Sequence, residues 1–224
     1  MYKSLPNTPS STAPETFSPY RSLNDYLRET FGEKIYKLAL DGCMSCPNRD
    51  GTLDSRGCIF CSAGGSGEFA VPPAALPFAA ADTEPFIAYL QAYTCTYAPV
   101  SRLEPLYRSL LGHPRAAGLS IATRPDCLPA ETLSLLGRLQ ADYPDKFLWI
   151  ELGLQTIHEE TAAYIRRGYP LPCFSRAVAA LQEYSIPVIA HVILGLPGED
   201  KKKMLQTAEY LSGIPVFGVK LQLL

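Results

Sequence analysis

The stretch FLWIELGL at Phe147–Leu154 is apolar except for Glu151 and Gly153, and PVIAHVIL at Pro187–Leu194 has the same character. Runs that stay apolar, instead of alternating with polar residues, are typical of strands covered on both faces. Between these two runs, Phe174–Tyr184 places its apolar residues on one helical face. This order of strand, helix and strand predicts a parallel sheet with right-handed crossovers.

Six apolar runs along the chain predict six strands. The predicted strands are 34–40, 86–93, 117–121, 147–154, 187–194 and 218–223. Strands and helices that repeat about every 30 residues fit either a doubly wound open sheet or a complete or partial barrel. The last run is followed by no element that could cover it. We therefore expect that the chain is C-terminally truncated, or that a partner supplies the next element.

Composition and charge limit the kinds of protein that this chain can be. The chain has 224 residues, of which 47% are hydrophobic and 19% charged, and this predicts a folded core. No run reaches the roughly 20 apolar residues of a membrane helix, and the first residues show no secretory signal, so we expect a cytoplasmic protein without a membrane partner. The net charge of −2 argues against binding nucleic acid mainly through a positive field. Residues 1–20, rich in Pro, Ser and Thr, predict a mobile leader before a core domain over residues 21–224.

Four of the seven cysteines fall in the segment DGCMSCPNRDGTLDSRGCIFCSAGGSGEF at residues 41–69. They form two C-x2-C pairs, Cys43 with Cys46 and Cys58 with Cys61. Clustered cysteines here predict a metal site, because disulfide frameworks are typical of short secreted chains. Two sites fit the spacing. One is a structural zinc ion held by all four thiolates, and the other is an iron–sulfur cluster held by three, with one iron left open.

The surroundings of the cysteines favour the iron–sulfur cluster. Gly64, Gly65 and Gly67 follow the second pair, and glycines suit the close approach of a ligand to the backbone. The segment also comes directly after the first predicted strand. It therefore lies at the C-terminal edge of the sheet, where parallel α/β folds place their active sites.

Several longer motifs point to a family. Beside CPNRDG and GGSGEF in the cysteine segment, they are QAYTCTYAP at 91–99, SIATRPD at 120–126, WIELGLQT at 149–156, IRRGYP at 165–170 and HVILGLPGE at 191–199. Together they resemble radical S-adenosylmethionine enzymes of the YhcC type, a group related to the radical domain of the elongator catalytic subunit. The resemblance covers about residues 20–224. It implies a partial (β/α)6 TIM-like barrel with parallel strands.

The resemblance implies that Cys46, Cys58 and Cys61 hold a 4Fe–4S cluster. Cys43 stands where relatives are expected to carry glycine, so we expect it not to be a ligand. The open iron would then hold the amino and carboxylate groups of S-adenosylmethionine. Reductive cleavage of this cofactor gives a 5′-deoxyadenosyl radical, which abstracts hydrogen from a substrate.

Further cofactor contacts are expected where the later strands end. Phe60 would pack over the adenine or the cluster, and Gln155 would contact the ribose or the carboxylate. Either Arg166 or Arg167 would pair with the methionine carboxylate, because guanidinium suits a carboxylate bidentately. The remaining expected contacts are Thr123, Arg124, Ile193 and Gly195. His191, within a predicted strand, fits either a hydrogen-bonded core residue or a site residue.

The partners follow from the resemblance alone. It implies an electron donor such as a flavodoxin or ferredoxin, and it admits tRNA as a substrate, although a small molecule or a protein fits the sequence equally well. The alternative function is a non-catalytic binding module held together by a four-cysteine zinc site. Iron content and colour after anaerobic purification separate the two functions.

Overall fold

A computed structural model describes residues 19–78 and 84–224. The chain divides into two compact units, Met1–Lys34 and Ile35–Leu224. Apart from residues 19 and 20, the predicted leader over residues 1–20 lies outside the described residues.

The first unit contains the helix α1 (Leu23–Phe31). Its start is fixed by a capping box: the Ser22 side chain accepts from the Asp25 backbone N–H, and the Asp25 carboxylate accepts from the Ser22 backbone N–H. The helix ends at Gly32, whose φ of 75° is a left-handed conformation that costs glycine little.

The second unit is built on one sheet of six parallel strands. The strands are β1 (Tyr36–Leu40), β2 (Phe86–Leu90), β3 (Ala116–Thr123), β4 (Phe147–Gln155), β5 (Val188–Leu194) and β6 (Gly218–Leu223). Each strand pairs with the next in the chain, so the order is β1-β2-β3-β4-β5-β6. The sheet curls into a half-barrel, which confirms the predicted partial barrel. A doubly wound sheet would instead reverse its strand order in the middle.

Helices cross over between the strands from β2 onward. They are α2 (Val100–Leu111), α3 (Ala130–Asp142), α4 (Glu159–Tyr164), α5 (Leu171–Glu183) and α6 (Lys201–Ser212). The connection from β1 to β2 instead carries the cysteine segment and a 3-10 helix at Pro73–Phe78. Among the helices of residues 19–78 and 84–224, none is long and apolar enough to cross a membrane.

The apolar runs divide into two faces once they become strands. In β4, Ile150, Leu152 and Leu154 point outward and are completely buried in the core under the helices. Each buried leucine or isoleucine side chain contributes about 1.5–3 kcal/mol. Because successive side chains alternate between the faces of a strand, Glu151 and Gly153 point to the inside of the half-barrel. The inward face is where the site forms.

Candidate functional site

A pocket of about 240 Å³ opens at the carboxyl ends of the strands, where loops after parallel strands meet. Most of the residues expected to bind a cluster or cofactor line it: Cys46, Cys58, Phe60, Cys61, Thr123, Arg124, Gln155 and Ile193. Two expected residues, Arg166 and Gly195, are not among the lining residues. The sequence therefore identified most of this wall of the pocket.

The cysteine segment is tied to the barrel through Asn48, which is only 2% exposed. The Asn48 backbone carbonyl accepts from the N–H of Gly57 at 2.8 Å. Its side-chain amide donates to the Cys58 sulfur at 3.2 Å and to the carbonyl oxygens of Arg166 (2.8 Å) and Arg167 (3.2 Å). Asn48 thus holds the thiol of Cys58 against the segment that follows β4.

The Cys58 thiol lies between opposing influences. Burial raises its pKa, whereas the hydrogen bond from Asn48 and the positive charge of Arg124 act in the opposite direction. The guanidinium of Arg49 donates to the carbonyl oxygen of Cys61 at 2.8 Å, which brings a further positive charge to this wall. These groups are suited to stabilise sulfur as thiolate, the form that binds metal.

Cys43 lies apart from the other three clustered cysteines. It is exposed, its φ is 55°, and its thiol is directed at the carbonyl oxygen of Asp41, 4.0 Å away. It is not among the residues that line the pocket. Over residues 19–78 and 84–224, no three or more His, Cys, Asp or Glu side chains converge as ligands of a single metal ion.

Gln155 combines backbone strain with an unpaired acceptor. It ends β4 with a φ of 66°, where the pairing between β4 and β5 shifts register. Its side-chain oxygen Oε1 is buried and has no hydrogen-bond partner among the described residues. An unmet buried acceptor costs about 1–3 kcal/mol, and strained residues of this kind cluster at ligand sites. A ligand that donates a hydrogen bond in this pocket would remove that cost.

Arg124 and Arg167 are both buried, and both are held by other protein groups. Arg124 forms a bidentate pair with Asp126, at 2.9 and 2.7 Å, and lies over the ring of Tyr169. Arg167 donates to the carbonyl oxygens of Leu154 (3.0 Å), Thr156 (2.6 Å) and Tyr169 (3.0 Å). Arg167 also donates to the Glu159 carboxylate at 3.2 Å, so most of its five N–H donors are engaged within the protein, and it holds the end of β4 in place.

Arg166 does not line the pocket, but its backbone contacts two residues of the cysteine segment. Its φ is 56°, and its carbonyl oxygen accepts from the Asn48 amide and from the Cys58 thiol at 3.3 Å. Phe60 packs against a small apolar cluster of Ile165, Ile193 and Leu196. Gly195 follows β5 with a φ of 80°, and the space around its α-carbon is open.

A polar layer that the sequence analysis missed lies inside the half-barrel. Each strand supplies one member, in the order Lys37, Tyr89, Ser120, Glu151, His191 and Lys220. Glu151 is at the centre, with a fully buried carboxylate. It accepts from the Ser120 hydroxyl at 2.5 Å and from His191 Nε2 at 2.7 Å, and forms a close ion pair with Lys37. The signals in the sequence were the carboxylate of Glu151 and the imidazole of His191, each within an otherwise apolar run, and nothing in the sequence indicated that the two meet.

The polar layer shifts the pKa values of its members. Burial favours the neutral form of Glu151, but the hydrogen bond from His191 and the charge of Lys37 outweigh it and hold the pKa of Glu151 well below its usual range. Burial lowers the pKa of His191, so the imidazole is neutral at pH 7 and donates its Nε2 proton to Glu151. Burial likewise lowers the pKa of Lys37, against the attraction of Glu151.

The chain is similar to known proteins in both sequence and fold. The family model described as the radical SAM superfamily matches residues 55–211. The chain is 43% identical over 216 residues to YtqA of Bacillus subtilis (strain 168), covering 92% of this chain and 66% of YtqA. It is 37% identical over 204 residues to YhcC of Escherichia coli (strain K12), covering 87% of this chain and 65% of YhcC. The chain thus spans just under two thirds of the length of these relatives.

More distant similarities agree in fold. A tRNA uridine(34) acetyltransferase of Methanocaldococcus jannaschii is 30% identical over 95 residues, which are 41% of this chain and 16% of that protein. Methylornithine synthase (PylB) superposes with a TM-score of 0.60 at 12% identity, covering 89% of this chain and 57% of PylB. The archaeal Methanocaldococcus infernus Elp3 superposes with a TM-score of 0.53 at 16% identity, covering 63% of this chain and 37% of Elp3. The family match, the YhcC-type relatives and the half-barrel all confirm the resemblance drawn from the motifs, and the chain belongs to the radical SAM superfamily.

Proposed function

We propose that this chain is the core of a radical S-adenosylmethionine enzyme in which Cys46, Cys58 and Cys61 hold a 4Fe–4S cluster. The observation that carries the proposal is that these three thiols and the unpaired oxygen of Gln155 line one pocket, whereas Cys43 does not. Three thiolates on one wall fit a cluster that offers each sulfur a separate iron, and they leave the fourth iron open. The alternative zinc site needs all four thiolates at one ion.

A cluster held by Cys46, Cys58 and Cys61, once reduced, would supply the electron that cleaves a carbon–sulfur bond of bound S-adenosylmethionine, and this chemistry would serve to abstract a hydrogen atom from a substrate. The electron must come from an external donor, for which we propose a flavodoxin or a ferredoxin. The chain's own residues orient the cofactor and keep water from the pocket. We expect the enzyme to act in the cytoplasm, where thiols stay reduced.

The proposal gives each lining residue a definite role. Gln155 Oε1 accepts a hydrogen bond from a ribose hydroxyl or from the methionine amino group. Phe60 and Ile193 give apolar contact to the adenine, and Gly195 gives backbone contact to the same ring. The partly exposed Arg166 pairs with the methionine carboxylate in place of Arg167, which is buried and has most of its donors already engaged.

Two further lining residues act mainly through their neighbours. The Thr123 and Thr96 hydroxyls are 2.5 Å apart and form one buried hydrogen bond at the end of β3. This bond fixes the rim on which the cofactor rests. Arg124, held by Asp126, supplies a fixed positive charge beside Cys58. Both residues therefore position the site, and Arg124 also stabilises the thiolate.

For the substrate, tRNA is the candidate that the comparisons support. The support is the partial similarity to proteins named tRNA uridine(34) acetyltransferases. We therefore propose tRNA for trial as a macromolecular substrate, alongside small molecules.

The test of the proposed function is anaerobic reconstitution with iron and sulfide, followed by reduction with dithionite in the presence of S-adenosylmethionine. We expect a brown protein with about four irons per chain that forms 5′-deoxyadenosine, detected by mass spectrometry. A fully loaded protein that forms none, with varied reductants and candidate substrates, would contradict the proposal. A colourless protein with one zinc per chain would favour the binding module.

Alkylation separates the cysteines that bind the cluster from those that do not. With iodoacetamide under anaerobic conditions, we expect Cys43 to be labelled whether or not the cluster is present, because it is exposed. Cys58 should be labelled only after the cluster is removed. Cys127 should resist labelling in both states, because burial raises its pKa to about 12. Peptide mass spectrometry measures all three, and protection of Cys43 by the cluster would show that the ligands are wrongly assigned.

A further inference from the structure

The pocket extends below the proposed cofactor contacts to the polar layer inside the half-barrel. Glu151, Gly153 and Gln155 share the inward face of β4, and at about 3.3 Å per residue Glu151 lies about 13 Å below Gln155. Gly153 lies between them and lines the same pocket, and its lack of a side chain allows Tyr169 and Gln155 to approach the strand closely. A Cβ atom at Gly153 would lie 2.9 Å from the Tyr169 hydroxyl and 3.0 Å from the Gln155 amide nitrogen. The residues at the pocket floor are Tyr89, Glu151, His191 and Lys220.

The charges of the polar layer do not cancel. It contains two lysines and one glutamate, and His191 is neutral. The charge of Glu151 is already matched by the close ion pair with Lys37, whose ammonium group also lies 3.7 Å from the centre of the Tyr89 ring. Lys37 does not line the pocket. The excess positive charge is therefore that of Lys220.

Lys220 is placed to bind a ligand rather than to neutralise Glu151. Its ammonium nitrogen is 3.7 Å from Glu151 Oε2, too long for a hydrogen bond, and donates to the Tyr89 hydroxyl at 3.0 Å. An ammonium group has three donors, so at least one is left for a group in the pocket. The side chain is 36% exposed and lines the pocket, whereas the Glu151 carboxylate is fully buried.

We infer that Lys220 binds an anionic group of the substrate, a carboxylate or a phosphate, at the floor of the pocket. The inference rests on the proposed function, because it takes the upper part of the pocket to be filled by the cofactor. A charge-assisted hydrogen bond from Lys220 to the anion completes the coordination of the ammonium and balances the excess charge of the layer. Lys220 is thereby a residue that determines the class of substrate.

The test is titration calorimetry with potassium phosphate, sodium acetate and neutral glycerol as probes at constant ionic strength. We expect the wild-type protein to bind at least one anion and not glycerol. Lys220→Met should lower the affinity for that anion by about ten-fold or more, and Lys220→Arg, which keeps the charge, should retain most of it. The matched control is Lys202→Met in the exposed part of α6, which should bind as the wild type does.

Each outcome has a definite meaning. Binding of phosphate alone indicates a phosphate-bearing substrate, and binding of acetate alone indicates a carboxylate. The inference is overturned if neither anion binds, or if Lys220→Met binds as tightly as the wild type while circular dichroism shows that it is folded. Measuring cluster-free and cluster-loaded protein separates the two proposals. Anion binding without any cofactor cleavage would contradict the proposed function alone, and cleavage without anion binding would contradict the inference alone.

Discussion

Cys58→Ala is expected to reduce iron loading from about four irons per chain to almost none. The substitution removes one of the three thiolates that we assign to the cluster. It also empties the position at which the Asn48 amide and the Arg166 carbonyl oxygen meet the sulfur. Two remaining thiolates do not hold a cluster that needs three. Iron and sulfide analysis after anaerobic reconstitution, with the visible absorption spectrum, measures the loss.

The matched control is Cys43→Ala, in the same segment and with the same change of side chain. Cys43 is exposed and outside the pocket, so this variant should load iron as the wild type does. Equal loss of iron in both variants would mean that all four cysteines contribute, as in the zinc alternative. Retention of iron by Cys58→Ala would contradict the ligand assignment directly.

Glu151→Gln is expected to lower the free energy of unfolding by about 3–5 kcal/mol, because removing one partner of a buried ion pair leaves the other charge uncompensated. Here the uncompensated group is Lys37, whose ammonium group has Glu151 as its ion-pair partner. For a chain of this size the loss corresponds to a fall in Tm on the order of 6–20 °C. Thermal unfolding followed by circular dichroism measures it.

Two further variants distinguish a buried charge from an ordinary surface pair. Glu104→Gln removes a partly exposed carboxylate that pairs with Arg108 one helical turn later, and should cost less than about 1 kcal/mol. The double variant Glu151→Met with Lys37→Met removes both buried charges and should recover much of the stability. If Glu151→Gln lowered the free energy of unfolding as little as Glu104→Gln does, the polar layer would not be the buried network described above.

The effect of Glu151→Gln should depend on pH in a definite direction. The pKa of Glu151 is lower in the folded protein than in the unfolded chain, so the stabilisation is present above the unfolded value of about 4.3 and is lost as the pH falls below it. The difference in stability between the wild type and Glu151→Gln should therefore shrink in acid. His191, whose pKa burial lowers, makes both proteins less stable as the pH falls below about 6.5.

Local pattern was enough to predict the strands, whereas one wall of the pocket was predicted with the help of the family resemblance. The run at Phe147–Leu154 forms β4, and its outward leucine and isoleucine side chains are buried under the helices. This burial does not depend on which strands lie beside β4, so a local pattern is enough to predict it. The cysteine spacing indicated a metal site, and the family resemblance implied three ligands, Cys46, Cys58 and Cys61, which all line the pocket. Gln155 was predictable as the polar residue at the end of an apolar strand.

Local pattern could not decide which of the two arginines of IRRGYP is available to bind a carboxylate. Arg166 and Arg167 are adjacent and chemically identical, and the sequence favours neither. The backbone of Arg166 is left-handed, and the guanidinium of Arg167 donates to the carbonyl oxygens of Leu154 and Thr156. It is therefore the guanidinium of Arg167 that is bound by other groups of the protein. These contacts join the segment to the end of a strand more than ten residues earlier, so only folding brings them together.

The sequence by itself determined where the strands lie along the chain, the motifs of the radical SAM superfamily and most of the residues expected in the upper pocket. Only the tertiary structure decided the polar layer, because its six members come from six different strands. Lys37 meets Glu151 across 114 positions of the chain, and Lys220 meets Tyr89 across 131. In the sequence each is a single polar residue in an apolar surrounding. Curling of the sheet turns all six to the same interior, where low polarity makes their charges depend on one another.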